Sequence, residues 1–417
     1  MSTSRTKKVK TINKKTLVVA VDIGKDLHHG YFRAPDNQEV KSFGFYNSGH
    51  SFKGFWDKIC RFHQKQGLQE IIVGFESTGC YAEPLLHFLK RKPVTLVQVN
   101  PLHSKRLKEL SGNSPNKTDK KDPRVIADII SLGHALTVIV CEGCAAHLRR
   151  LTQARERALK TRNAMHNQLH DLIFLIFPEY LRIMKKLSTK TARYLIKHYP
   201  GPESIAALGL QQLTAVMRKV SRGKLAAPRA QALYQAAQNS IGVSAGQESI
   251  LLEIEHLLEG IEHQNQFIAA VENQLADYLK QIPYSKNILS IKGIGPVIVA
   301  GLIGEVGDFR KYQTLSEITK LAGLDLFEIS SGKHQGQRHI SKRGRALIRK
   351  LLFYAAINTV RTNAIMNQCY QKLLTRGMAK VKALVAISRK LLRIIFALVR
   401  DNTLYVETEK NQYQLAA

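Results

Sequence analysis

Two short apolar runs, each closed by a carboxylate, constrain this chain more than any other feature. Leu17-Val18-Val19-Ala20-Val21-Asp22 leads into Ile23-Gly24-Lys25, and Ile71-Ile72-Val73-Gly74-Phe75-Glu76 repeats the pattern. Runs this short, β-branched and bounded by turns read as buried strands. The acid falls at the strand's C-terminal end, next to a turn. A carboxylate is expensive to bury unpaired, so there it needs water, a cation or a metal. Aspartate also simply suits turns, and one such residue decides nothing.

The surrounding segments give these acids a frame. Strands are expected at 17–22, Leu27 to Arg33 and Val40 to Tyr46, joined by short turns as an antiparallel meander. A helix from Ser51 to Gln66, the strand ending at Glu76, a helix from Tyr81 to Lys90 and a strand from Val94 to Val99 follow. Three antiparallel strands, then strand–helix–strand with acids at strand ends, is the order of an RNase H-like α/β fold. Further on, Asn116-Lys117-Thr118-Asp119-Lys120-Lys121-Asp122-Pro123 precedes an apolar helical pattern. Asp119 and Asp122 share a face on a helical turn, although the helix dipole favours acids there in any case. Four acids thus stand in order: Asp22, Glu76, Asp119 and Asp122. Carboxylate oxygens are the ligands Mg2+ requires, and two such ions about 4 Å apart can serve phosphodiester chemistry.

The charge balance names a partner class. Lys and Arg number 63 against 32 Asp and Glu, a net charge of +31 over 417 residues. Such an excess suits a polyanion, because neutralising phosphates releases counterions. No apolar run is long enough to span a bilayer, and residues 1–15 are a basic polar tail without a signal-peptide core. Five cysteines and no secretory signal point to reduced thiols in a cytosolic protein. Cys141 and Cys144, with His147 nearby, lack the further ligands a zinc site needs.

The middle is helical. In 145–177, Leu151, Ala158, Met165 and Leu172 fall seven apart, with Arg155 and Arg162 on the neighbouring seam, where they either face phosphate or snorkel at a solvated edge. Glu248 to Gln281 carries a second stripe: Leu251, Ile254, Leu258, Ile261, Ile268, Leu275 and Tyr278. The two flank a basic insert, about 182–245, as an antiparallel pair or as a dimerising coiled coil.

The region 284–400 begins with Lys292-Gly293-Ile294-Gly295-Pro296, a turn between short helices. Its exposed N–H groups could hold a phosphate in the manner of a helix–hairpin–helix. From Lys333 to Arg400 there are sixteen Lys and Arg and no acid, on a helical apolar pattern. A folded basic surface for a phosphate backbone is the expectation, with Lys333, Arg338, Lys342, Arg343 and Arg345 leading it. Within it, Ser330-Ser331-Gly332-Lys333 is a loop, and Ile340-Ser341-Lys342-Arg343-Gly344 opens a helix.

These motifs together resemble one family. Asp22 in VDIGK, Glu76 in FESTG and Asp119 and Asp122 in NKTDKKD are similar to the DEDD signature of RuvC-like insertion-sequence transposases, the IS-one-ten and IS-eleven-eleven families. KGIGP, LAGL, SGK and ISKRG are similar to their second domain. The resemblance covers roughly residues 16–135 and 284–400. It implies a RuvC-like catalytic domain at 16–140, a coiled-coil region at 145–283 with its insert, a helical transposase domain at 284–400 and a tail at 401–417. It implies Mg2+-dependent DNA cleavage and strand exchange, with two ions possible. Ser331 would be the covalent nucleophile, Ser330 its near alternative, in a composite site with the acids. It also implies element ends and target DNA as partners, a non-coding bridge RNA as guide, and a dimer or tetramer. The setting would be the cytoplasm of a prokaryote, at the nucleoid and away from membranes.

Two other readings compete. An actin-like phosphotransferase shares a VDIG turn but needs a second Asp-Gly loop and a Gly-rich adenosine motif, both missing. A non-catalytic architectural nucleic-acid binder explains the charge but not four acids placed within a basic protein.

Overall fold

The computed structural model describes residues 13–76, 79–111, 122–138, 141–225, 227–328 and 338–407. The chain is mixed α/β and mostly helical, in two compact units. The first unit is Met1–Cys141 with Tyr312–Lys320; the second is Glu142–Lys311 with Leu321–Ala417.

The first unit is built on a six-stranded sheet. Its elements are β1 (Thr16–Asp22), β2 (Leu27–Arg33), β3 (Glu39–Tyr46), α1 (Gly49–Lys65), β4 (Glu70–Glu76), α2 (Glu83–Leu89), β5 (Thr95–Val99), α3 (Pro101–Ser111), α4 (Asp122–Ser131) and β6 (Leu136–Thr137). The strand order is β3-β2-β1-β4-β5-β6. β1 runs antiparallel to β2 and parallel to β4, and β4 runs parallel to β5. This arrangement is compatible with an RNase H-like domain.

Alternation along β1 divides the core in two. Leu17, Val19 and Val21 pack with Phe52, Phe55 and Ile59 of α1 and with Leu85 and Leu89 of α2. Val18 and Ala20 pack with Val125, Ile126, Ile129 and Ile130 of α4 on the other face. Gly74 lets α4 lie close to β4: a Cβ there would stand 2.3 Å from Ile130 Cδ1 and 2.8 Å from Val97 Cγ2. Gly74→Val should therefore destabilise the unit by ~1–3 kcal/mol, the usual cost of overpacking a filled core. Urea unfolding of the variant measures this, and an unchanged midpoint would show that α4 moves freely.

The second unit holds α5 (Gly143–Ile176), α6 (Pro178–Ile183), α7 (Lys190–His198), α8 (Pro202–Ser221), α9 (Ala227–Gln238), α10 (Gln247–Lys280), α11 (Ser285–Leu289) and α12 (Pro296–Val306). Helix α13 (Leu315–Ala322) crosses the unit boundary. The hairpin β7 (Leu326–Phe327) and β8 (His339–Ile340), then α14 (Ala346–Thr362), α15 (Ala364–Thr375) and α16 (Lys380–Arg400), complete the second unit.

The long helices α5 and α10 are an antiparallel pair within the chain. Cys144 Sγ donates to Gln281 Oε1 at 3.3 Å and His147 stacks on Tyr278 at 4.4 Å at one end. Gly260 lies against Met165 much further along. On α10, Ile254, Ile261, Ile268 and Leu275 are buried at steps of seven, joined by Leu257, Val271 and Leu279. Leu251, Leu258 and Tyr278 of the expected stripe are only half-buried. The insert's helices α6 to α9 pack at the other end of the pair, around Tyr180, Leu195, Leu213 and Leu233.

The C-terminal helices are fastened by a buried amide. Asn287 of α11 donates through Nδ2 to Thr403 O at 2.8 Å and to Leu398 O at 3.3 Å, at the end of α16. None of the five cysteines is in a disulfide. Among the described residues, no helix is long and apolar enough to cross a membrane.

Candidate active site

Two of the candidate acids end neighbouring parallel strands, and a third opens the helix that covers their face. Asp22 ends β1 and Glu76 ends β4. In the parallel β1–β4 ladder Val21 lies opposite Phe75, so the two acids come next in register. Alternation places Asp22 with Val18 and Ala20, and Glu76 with Ile72 and Gly74, on the face that α4 covers. Asp122 is the first residue of α4 and is buried, 9% exposed. The same face carries His29, which sits opposite Asp22 in the β1–β2 ladder. Asp119 lies outside the described residues.

A cation already attends one of these acids. Lys108 Nζ of α3 stands 2.6 Å from Asp122 Oδ2. A buried carboxylate without a partner would be costly, and Lys108 supplies that partner. The donors are all carboxylate oxygens, which suits a hard divalent cation such as Mg2+. Among the described residues, no three His, Cys, Asp or Glu side chains are drawn close enough to share one ion.

A polar network fixes α4, and with it Asp122, on the sheet. Arg33 Nη1 of β2 donates to Asp128 Oδ1 of α4 at 2.5 Å, and Arg33 Nε donates to Tyr31 Oη at 3.1 Å. The Tyr31 hydroxyl in turn donates to Glu39. Burial, and then the bond to Glu39, pushes the Tyr31 hydroxyl above its ordinary value, so it stays protonated. Sequence reasoning passed over Lys108, Arg33 and Tyr31. Their partners lie on other elements, and nothing in the local pattern marks them.

Ser330, Ser331 and Lys333 lie outside the described residues, between β7 and β8. Beyond β8, Ser341 donates through Oγ to Asp325 Oδ1 at 2.7 Å. Gly344 is needed there, because a Cβ would stand 2.4 Å from Leu321 O and 2.5 Å from Gly323 N. Lys342 and Arg343 are exposed. Other cations of the block are engaged in the fold. Arg345 donates to the Glu305 carbonyl, and its guanidinium lies 3.7 Å from the buried Glu305 carboxylate. Arg338 pairs with Glu328 at 2.9 Å.

The KGIGP turn connects α11 to α12. Gly293 has φ +101, and a Cβ on it would stand 2.5 Å from Thr362 Oγ1 and 2.9 Å from Thr359 Cα of α14. The turn thus lies on α14, beside a shallow cleft that includes Gly295, Asn358 and Arg361. Lys292 is exposed next to it. The seam arginines sit inside the helix pair: Arg155 reaches Glu272 at 2.7 Å and Arg162 Nη1 donates to Asn265 Oδ1 at 3.0 Å.

Comparison with known proteins gives a consistent answer. A transposase model of the DEDD IS110 type matches residues 19–178, and a model described as "Transposase IS116/IS110/IS902 family" matches residues 285–371. An uncharacterized 43.6 kDa protein of insertion element IS110 from Streptomyces coelicolor is 24% identical over 96% of this chain and 98% of its own length. The transposase for insertion sequence element IS1111A of Coxiella burnetii is 23% identical over 70% of this chain and 68% of its own. A pilin gene-inverting protein of Moraxella lacunata is 27% identical over 34% of this chain and 47% of its own. Two models of one transposase family match in order along more than half of the sequence, and an insertion-element protein aligns with nearly all of it. The chain belongs to the IS110 family of insertion-sequence transposases, enzymes that bind DNA, cleave it and transfer its strands.

Proposed function

We propose that this transposase is a Mg2+-dependent DNA recombinase that works through a covalent serine intermediate and is guided by a bridge RNA. In this reading the first unit carries an RNase H/RuvC-like domain at 16–140, and the second combines a coiled-coil region at 145–283 with a C-terminal domain at 284–400. The observation that carries the catalytic part is the register of Asp22 and Glu76 on the α4 face, with Asp122 opening α4 on that face. Asp119 is the fourth acid. Bound there, a pair of divalent ions would stabilise the attacking and leaving oxygens of a phosphodiester. Lys108 neutralises Asp122, and the Arg33–Asp128 pair keeps α4 in place.

The Ser331 hydroxyl is the nucleophile of this reading. Its oxygen attacks phosphorus, a Ser–O–P bond forms, one P–O bond of the strand breaks and the strand end leaves as a hydroxyl. A second strand's hydroxyl reverses the step. Bond energy is conserved, so no ATP is required. The chain acts as a dimer or tetramer, since two DNA ends must be cut and joined. The Moraxella relative's name records DNA inversion, which is also recombination.

Nucleic acid contacts are assigned to Lys292, the Gly293 and Gly295 backbone, Lys333, Arg338, Lys342, Arg343 and Arg345. Arg338, Arg345, Arg155 and Arg162 come last, since each is committed to a partner in the fold. Lys342→Gln with Arg343→Gln should weaken DNA binding alike for many sequences. The slope of log affinity against log salt should fall by up to ~1.8, at about 0.9 for each phosphate that is no longer neutralised. An unchanged slope would remove these two residues from the interface. Nicking of supercoiled element DNA that depends on Mg2+ tests the reading as a whole; binding without any nicking would favour a purely architectural role.

A further inference from the structure

The helical insert has a cavity of its own, away from every residue assigned above. It has a volume of about 610 Å3 and lies where the loop before α7, the end of α8 and the start of α9 meet. Six of its lining residues are cations: Lys185, Lys186, Lys190, Arg222, Lys224 and Arg229. None of the lining residues is acidic, all six cations are exposed, and among the described residues none of the six has a carboxylate partner.

A neighbouring cavity shows that this is not the general character of the insert. It lies along α7 and α10; Lys190 borders both cavities, and there Arg193 and Lys197 stand among Glu248, Glu255, Glu259 and Glu262. Arg193 pairs with Glu262 at 3.7 Å. On that side charges cancel; on the other side of α7 they accumulate.

Accumulated like charge repels and costs stability unless a counter-charge relieves it. Two further features favour an anion. The cavity includes Thr189, the N-cap of α7, so the positive end of a nine-residue helix faces the same space as the cations. Arg222 adopts a left-handed conformation, φ 54 and ψ 47, at the end of α8. That backbone is costly for a side-chain-bearing residue, yet the position presents a guanidinium, which forks onto phosphate oxygens.

We propose that this pocket binds the phosphodiester backbone of a nucleic acid. Six cations around one cavity exceed what a single phosphate needs and fit a bent or folded strand that brings several phosphates together. DNA and RNA share that chemistry. The inference goes beyond the catalytic reading and is independent of it: it stands or falls on binding, whatever Asp22 or Ser331 does.

The test uses the full chain with Lys185, Lys186 and Lys224 replaced by glutamine, beside a variant with arginine at the same three positions. Exposed substitutions of this kind leave the fold intact, and circular dichroism melting checks this. Binding of a labelled duplex DNA and of a labelled RNA hairpin is measured over a salt series. The glutamine variant should lose about tenfold or more in affinity for at least one of them, with a slope lowered by up to ~2.7. The arginine variant should bind as the wild type does. A loss confined to the duplex identifies DNA as the occupant; a loss confined to the hairpin identifies RNA; a loss in both assigns the pocket to either backbone. Unchanged affinities and slopes for both, or an equal loss in the arginine variant, would overturn the proposal.

Discussion

Asp22→Ala should lower Mg2+-dependent strand cleavage by ~10³-fold or more while DNA binding stays intact. The size follows from the role: metal-assisted stabilisation of transition-state charge is worth several kcal/mol, and each 1.4 kcal/mol is about tenfold in rate. The split between cleavage and binding follows from position. Asp22 lies at the end of β1 and is only partly buried, whereas Val18 to Val21 before it form the buried strand. Removing a negative charge from a chain of net +31 does not weaken its attraction for phosphate. A variant that binds DNA as well as the wild type, or better, yet does not nick supercoiled substrate, separates a lost catalytic carboxylate from a misfolded domain. Retained cleavage would exclude Asp22 from the chemistry.

Ser331→Ala has the second large expected effect. An alcohol is a weak nucleophile at neutral pH and needs a metal or a base to activate it. If the acids supply that activation, deleting the oxygen removes the atom that takes the strand in this reading. Cleavage should then fall by ~10⁶-fold, the scale seen when a hydrolase loses its serine. Denaturing gels should show no covalent protein–DNA product. Ser330→Ala, one residue away, should keep most of the activity. A strong effect at Ser330 and none at Ser331 would exchange their roles.

Five of the sheet's six strands were legible because their signals are local, whereas the two-residue β6 carries no pattern of its own. β1 and β4 are short β-branched runs, and tight turns at Gly24 and Asp36 force β1, β2 and β3 into a meander. Helix α3 was not foreseen, since Pro101–Ser111 shows little apolar periodicity among its lysines and polar residues. The long helices were visible in their seven-residue spacing, but a heptad stripe pairs equally well with the same chain or a second one. Contacts such as Arg155 with Glu272 show the in-chain antiparallel pairing. The acids Asp22 and Glu76 were legible as strand ends. What holds the site was not: Lys108 with Asp122 and Arg33 with Asp128 join residues on separate elements, and no spacing rule links them. The basic block was expected as one folded surface for phosphate, and the sequence could not divide it. Arg345 and Arg349 bind carbonyls inside the fold, while Lys342 and Arg343 remain exposed.

The most direct measurement is to trap the reaction on DNA carrying the element ends, digest the complex and map the nucleotide-bearing residue by mass spectrometry. The account predicts a phosphodiester on Ser331 in the wild type with Mg2+, and no adduct in Asp22→Ala. An adduct on Ser330 or on a tyrosine, or one that forms equally well without Asp22, would contradict it.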